Sequence, residues 1–199
     1  RYPASERFPD SSPDGSKLAF VSDRDGSLNI YQMDFTGNNL ITLAQSPFTD
    51  KSPRWSPKGD QLVFVSERFE RNENIYLLDL KQKDQEPQRL NHDQAPDYDP
   101  SWFPDGQSIL FISQREGKSE IFQLKLKSPQ KRVQLTQDGR EKRYPEVSPD
   151  GKQIAYAVSD GTDWELEVLN LENQQKSSLI KGQKWLGHPR WIRSDTLIL

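Results

Sequence analysis

Few side chains in this sequence can do covalent or redox chemistry. The chain holds two histidines, His92 and His188, and no cysteine. Thiolate chemistry and disulfides are thereby excluded. His92 sits in the polar run Asn91-His92-Asp93-Gln94, and His188 stands just ahead of Pro189-Arg190-Trp191. Both read as structural or solvent-facing. There is no Gly-x-Ser-x-Gly elbow for a nucleophilic serine, and no Walker loop or dinucleotide fingerprint. Two histidines are too few for a histidine-rich metal site. The loop Ser22-Asp23-Arg24-Asp25-Gly26-Ser27 has the acidic spacing of a calcium loop, but Leu28 stands where that motif needs glycine and Asp34 where it needs glutamate. It reads as a polar turn. The sequence therefore predicts no catalytic residue, no metal site and no cofactor.

The charged residues worth following are those that recur. Arg24, Arg68 and Arg115 occupy one place in a tandem repeat. Its turn motif reads Ser12-Pro13-Asp14-Gly15, Ser56-Pro57-Lys58-Gly59, Phe103-Pro104-Asp105-Gly106 and Ser148-Pro149-Asp150-Gly151, with the glycines 44, 47 and 45 residues apart. A further proline (Pro9, Pro53, Pro100, Pro145) precedes each turn, and an aromatic (Phe20, Phe64, Phe111, Tyr156) follows it. Two more markers are Ile30, Ile75, Ile121 and Leu166, then Leu43, Leu90, Leu135 and Leu179. Length variation falls only between the later markers, as it does when insertions are confined to loops.

The elements that must carry these residues are short strands. Proline presets the turn and glycine accepts the left-handed conformation that closes a bulged hairpin. After each turn comes an apolar run: Leu18–Ser22, Leu62–Ser66, Ile109–Ser113 and Ile154–Val158. A second run follows at Asn29–Met33, Asn74–Leu78, Glu120–Leu124 and Glu165–Leu169. With the segments before each turn and around each marker leucine, this makes four strands per repeat. Near-continuous apolar runs suit sheets covered on both faces. The expected fold class is all-β: a β-propeller of four-stranded antiparallel blades, four full blades plus the start of a fifth. The repeats span about 7–50, 51–97, 98–142, 143–186 and a partial 187–199, in one domain. Trp55, Trp102 and Trp191 share one repeat position and read as packing between blades.

At these residues the chain resembles the TolB-like, WD-like propeller repeat family, whose pattern Pro-x-[Trp/Phe]-Ser-Pro-Asp-Gly, aliphatic-Ala-Phe-Val-Ser-Asp-Arg-Asp-Gly and Asn-Ile-Tyr is met most fully by residues 12–31. The fourth repeat departs furthest, with Tyr156-Ala157-Val158 and Trp164-Glu165-Leu166. The fifth has Arg193-Ser194-Asp195 where Pro-Asp-Gly would stand. The resemblance implies a periplasmic or exported, non-catalytic protein-interaction module of the bacterial envelope, of Tol–Pal type or as a sensor domain. Its alternative is the propeller of a prolyl-oligopeptidase-like serine peptidase whose catalytic domain lies elsewhere. A chain that starts at Arg1 and stops within a repeat is expected to be part of a longer product. The open blade edges then invite a partner or a second copy.

Composition narrows the partners. The net charge is -3, with charged residues at 29 % and no basic stripe, so nucleic acid is not expected. No apolar run approaches a membrane span. The residues expected to contact a protein partner are Arg24, Arg68 and Arg115, with Asp50, Lys51, Asp97 and Arg143 in the neighbouring blade-linking loops. The arginines have a competing reading as turn salt bridges with Asp23, Glu67 or Glu116.

Overall fold

The computed structural model describes residues 4–82, 85–91 and 93–199. His92 lies outside them. Among the described residues all regular structure is strand, as expected. The first antiparallel sheet runs in the order β1 (Glu6–Ser11), β2 (Lys17–Ser22), β3 (Asn29–Asp34) and β4 (Ile41–Ala44). The second is β5 (Asp50–Trp55), β6 (Gln61–Phe69), β7 (Asn72–Asp79) and β8 (Gln88–Arg89). The third is β9 (Asp97–Trp102), β10 (Ser108–Arg115), β11 (Lys118–Lys125) and β12 (Arg132–Gln134). The fourth is β13 (Glu141–Val147), β14 (Gln153–Ser159), β15 (Trp164–Asn170) and β16 (Lys176–Gln183), and β17 (Arg190–Arg193) with β18 (Thr196–Ile198) makes a two-stranded fifth. Each repeat is thus one sheet, paired in sequence order. The chain divides into two compact units, Arg1–Pro100 and Ser101–Leu199, with the boundary inside β9.

The repeat turns do what their residues dictate. Gly15 N donates to Ser12 O at 2.9 Å, with glycine at φ 68°. Ser12 Oγ donates to Asp14 Oδ1 at 2.6 Å, and Asp14 also accepts from the Ser16 amide. The Ser12 hydroxyl, then Ser16, hold the Asp14 carboxyl at about 2. Where the second repeat has Lys58 instead of aspartate, Asp60 receives the Ser56 hydroxyl at 3.1 Å.

The second strands are buried on both faces, as their unbroken apolar runs require. In the first unit one face of the first sheet (Ala19, Val21, Ile30, Ala44) packs on Trp55, Leu62, Phe64, Tyr76 and Leu78 of the second. In the second unit Ala155, Ala157, Leu166 and Val168 receive Trp191 and Leu197. Two of the three tryptophans at the repeat position pack between sheets within these units: Trp55 Nε1 donates to Asp10 O and Trp191 Nε1 to Glu146 O.

Two features differ from the sequence reading. Leu179, a marker leucine, is exposed; β16 bulges there, and Ile180 pairs with Leu166 and takes the core place. The residue before each repeat proline is left-handed without being glycine: Phe8, Ser52, Asp99 and Tyr144 have φ of 51°, 54°, 51° and 55°. The pairing slips at this point between Arg7 and Asp10, Lys51 and Arg54, and Arg143 and Glu146. These three first strands therefore carry a bulge that re-aims the residues ahead of the proline.

Candidate functional site

The recurring arginines lie where the second strand leaves its sheet, beside the start of the first strand. Arg24 Nε donates to Ser22 Oγ at 3.0 Å and Nη2 to Glu6 Oε1 at 2.9 Å. Arg68 repeats this with Ser66 Oγ at 2.9 Å and Asp50 Oδ2 at 2.8 Å. Arg115 Nε donates to Ser113 Oγ at 3.1 Å. Each guanidinium also lies over aromatic rings: Arg24 over Tyr31 at 4.7 Å, Arg68 over Tyr76 at 5.1 Å and Arg115 over Phe122 at 5.5 Å. Those rings stack on the repeat aromatics, Phe20 on Tyr31, Phe64 on Tyr76 and Phe111 on Phe122. In the first two sheets an acid, a serine, an arginine and two rings thus form a clasp that fixes the guanidinium, and the third sheet repeats its serine, arginine and rings.

The acids that hold Arg24 and Arg68 are Glu6 and Asp50, on the first strand, and not the loop acids Asp23 and Glu67. The reason is geometric. An arginine two residues past the paired serine folds back along the sheet and meets the first-strand residue opposite that serine, as the Glu6–Ser22 and Asp50–Ser66 pairs show. Asp23 instead accepts from Ser5 N at 2.9 Å, and Asp25 accepts from Tyr31 Oη at 2.6 Å. Burial, then this bond to Asp25, pushes the Tyr31 hydroxyl up to about 12. The two acids of the calcium-like loop serve as local acceptors.

Asp50 and Asp97 are fully buried. Burial raises the Asp50 carboxyl above its ordinary value, against the pull of Ser66 and Arg68. These two acids cannot touch a partner directly; Asp50 anchors an arginine from below. Lys51 pairs with Glu73, and Arg143 lies 3.0 Å from Glu141 Oε1, with its side chain 40 % exposed.

The fourth repeat inverts the charges of the clasp. Lys142 stands where Asp50 and Asp97 stand, Asp160 where the arginine stands, and Glu167 in place of the second aromatic. Lys142 is wholly buried, with Nζ 2.6 Å from Asp138 Oδ1, 3.0 Å from Glu120 Oε2 and 2.9 Å from Arg140 O. Arg140 Nη2 donates to Glu167 Oε1 at 2.6 Å, and Tyr156 Oη donates to Glu167 Oε2 at 2.9 Å. Burial, then Glu167, pushes the Tyr156 hydroxyl far up. His188 stacks on Tyr144 with ring centroids 3.6 Å apart. Sequence reasoning missed this network, although its signal was present: a lysine stands three residues before the repeat proline where the first three repeats have Glu6, Asp50 and Asp97.

Two of the arginines open onto clefts. Arg115 lines a polar cleft of about 310 Å³ with Glu116, Lys118, Glu120, Phe122 and Gln134. Arg24 lines a mostly apolar one of about 240 Å³ with Leu18, Phe20 and Met33. Among the described residues no three acids or histidines group as metal ligands, and no helix is long and apolar enough to cross a membrane.

Comparison with known proteins agrees with this architecture. A TolB from Acinetobacter baumannii is 23 % identical over 94 % of this chain and 45 % of its own, with a TM-score of 0.80. A putative TolB from Agrobacterium tumefaciens is 20 % identical over 98 % of this chain and 72 % of its own, with a TM-score of 0.82. A puromycin-hydrolyzing peptidase from Mycobacterium tuberculosis is 18 % identical over 88 % of this chain and 31 % of its own, with a TM-score of 0.73. Likeness at these identities shows the fold. This chain spans less than half the length of the Acinetobacter protein. No curated protein sequence matches it significantly. The model of the TolB beta propeller domain matches residues 2–71 and 43–191, and the chain belongs to that family.

Proposed function

We propose that this chain is a non-catalytic protein-interaction module of the bacterial envelope, periplasmic or exported, which grips acidic segments of a partner protein at the clasp ends of its sheets. The observation that carries this reading is the polar cleft beside Arg115. There a guanidinium already fixed by Ser113 and Phe122 shares an opening with Lys118. Arginine held in place loses little conformational freedom when it binds a carboxylate. Arg24, Arg68, Lys51 and Arg143 are the further contact residues, and Asp50 is the buried support of Arg68. The envelope setting rests on the family that this chain shares with the TolB proteins.

The test is capture of partner from an envelope extract by the wild type and by Arg115→Glu/Lys118→Glu. The reading expects salt-sensitive capture, since exposed charges are screened within about 10 Å at 0.1 M salt, and its loss in the double variant. Equal capture by both, in a folded variant, removes the cleft from the interface. Turnover of peptides or glycans that disappears on His188→Ala overturns the non-catalytic reading.

The likeness to the Mycobacterium peptidase favours one second reading, a propeller that serves a serine peptidase domain in a longer product. Sequencing the full transcript distinguishes the two, because a hydrolase domain downstream or upstream is unmistakable.

A further inference from the structure

The turn after the third strand of each sheet is built one way in the first, second and fourth sheets and another way in the third. Asp34, Asp79, Lys125 and Asn170 hold the same place, as the last residue of that strand. Asp34 Oδ1 accepts the amide of Thr36 at 3.0 Å, Asp79 Oδ1 that of Lys81 at 2.9 Å and Asn170 Oδ1 that of Glu172 at 2.9 Å. Such side-chain acceptors are what make Asp and Asn turn residues. Lysine has donors only. The third sheet closes its turn with backbone bonds instead, from Ser128 N to Lys125 O and from Lys131 N to Ser128 O, each at 2.9 Å. Turn chemistry therefore does not account for Lys125.

Ion pairing does not account for it either. Between Glu120 and Asp138 the sequence has no acid, and its cations are Lys125, Lys127, Lys131 and Arg132, in a chain whose net charge is -3. Lys125, Lys127 and Lys131 are exposed, and their side chains make no hydrogen bond or ion pair among the described residues. Lysines at the same turns of the second and fourth sheets are matched: Lys81 meets Asp60 at 2.8 Å and Lys152 meets Glu172 at 3.0 Å. Leu126 N donates to Gln107 O at 2.9 Å, and the Gln107 amide donates to Asp105 Oδ1 at 2.8 Å. That places one carboxylate near the loop, against three unmatched ammonium groups.

We infer that the Lys125–Lys131 loop is a docking surface for a membrane rich in anionic lipid headgroups. Lysine is a hydrated point charge on a flexible stem, and here nothing holds the stems. A folded acidic partner asks for cations fixed in place, as the clasp arginines are. A fluid layer of phosphates asks only for charge. The loop also offers apolar contact to the headgroup boundary, with Leu126 and Pro129 half-buried between the lysines and Val133 at 53 % exposure beyond them. Lys118 opens β11 and Lys125 closes it. The lipid surface and the cleft beside Arg115 thus lie at opposite ends of one strand, and neither needs the other.

The experiment is co-sedimentation of the protein with vesicles of phosphatidylcholine alone and of phosphatidylcholine with about a third phosphatidylglycerol. The wild type pellets with the anionic vesicles only, and about 0.5 M salt releases it. Each lysine near an anionic surface is worth about fivefold in partition. Lys125→Gln/Lys127→Gln/Lys131→Gln therefore binds roughly 100-fold more weakly. Lys17→Gln/Lys181→Gln/Lys184→Gln has the same net charge, changes exposed lysines elsewhere, and binds as the wild type does. Lys125→Asp restores the acceptor of the other turns, so it melts no lower than the wild type while its binding falls. A wild type that leaves the anionic vesicles in solution overturns the inference, and its retention on polyglutamate in their place gives the loop to an acidic protein. Equal binding by the loop variant and the wild type, or equal loss in the two triple variants, overturns it too. A marked drop in the melting temperature of Lys125→Asp would show that Lys125 serves the fold, which removes the ground of the inference.

Discussion

The indole of Trp55 donates its proton to the backbone carbonyl of Asp10 at 3.1 Å, 45 residues earlier. The Asp10 carboxylate in turn accepts from the Trp55 amide at 2.8 Å and from Arg54 at 3.4 Å. One residue of the first sheet is thereby held by two of the second, and Trp191 repeats the bond on Glu146 at 3.2 Å. Trp55→Phe keeps most of the buried surface and loses the bond, which costs about 1 kcal/mol. Trp55→Ala leaves a cavity as well and costs about 3–5 kcal/mol. Urea unfolding of the two variants checks this; equal losses would mean that packing alone holds the pair.

The clasps differ in depth, and depth decides their worth. Arg24 pairs with Glu6, whose side chain is 45 % exposed, and exposed pairs contribute roughly 0–1 kcal/mol. Arg68 pairs with Asp50, which has no exposure. Arg68→Ala strands a buried carboxylate and costs about 3–5 kcal/mol. The ranking of Arg68→Ala far above Arg24→Ala, read from denaturant midpoints, is the expected outcome. Similar losses at the two sites would contradict the burial argument.

Acid should loosen the fourth sheet's contacts first. Burial opposes the charge of Asp138, but Lys142 and Lys176 at 2.6 Å and Arg140 at 3.1 Å outweigh it and hold the carboxyl well below its ordinary 3.8. A carboxylate lowered in the folded state binds fewer protons there than when unfolded. Its stabilisation is present above about pH 4 and is lost as pH falls through the folded value. Asp138→Asn therefore has a shallower fall in urea midpoint than the wild type between about pH 5 and pH 2. Parallel slopes would show that other carboxyls carry the acid sensitivity.

The strands and their pairing order were legible because each repeat restates them. Pro-x-Gly turns, aromatics and apolar runs return at nearly fixed spacing, and a strand that is buried on both faces has to be apolar throughout. The arginines were legible as a recurring set. Their partners were not, because sequence offset points to the nearest acid, Asp23 or Glu67, whereas strand pairing brings Glu6 and Asp50 across from 18 residues away. The burial of Lys142 was also hidden. A lysine in a polar stretch reads as solvated, and only the meeting of Glu120 and Asp138 from the preceding sheet and its connection explains how the charge is met. The exposure of the repeat marker Leu179 was hidden for a related reason: one extra residue in β16 turns that side chain outward, and bulges leave no mark in hydrophobic periodicity.

The left-handed residue before each repeat proline is the feature least expected from the sequence, since proline disfavours helical conformations in its predecessor. Ser52 adopts φ 54° at the slip between Lys51 and Arg54. For a residue with a Cβ this conformation costs about 1–2 kcal/mol, and glycine escapes that cost while losing roughly 0.5–1 kcal/mol more in chain entropy. The strain is the larger of the two, so Ser52→Gly is neutral to stabilising by up to about 1 kcal/mol. Ser52→Val, branched at Cβ, destabilises by more than about 1 kcal/mol because the left-handed region is closed to it. Thermal unfolding of the three proteins orders them as glycine, serine, valine. A valine variant as stable as the wild type would show that the first strand can pair without its bulge. The side chains ahead of Pro53, Lys51 and Asp50 among them, would then not depend on it for their aim.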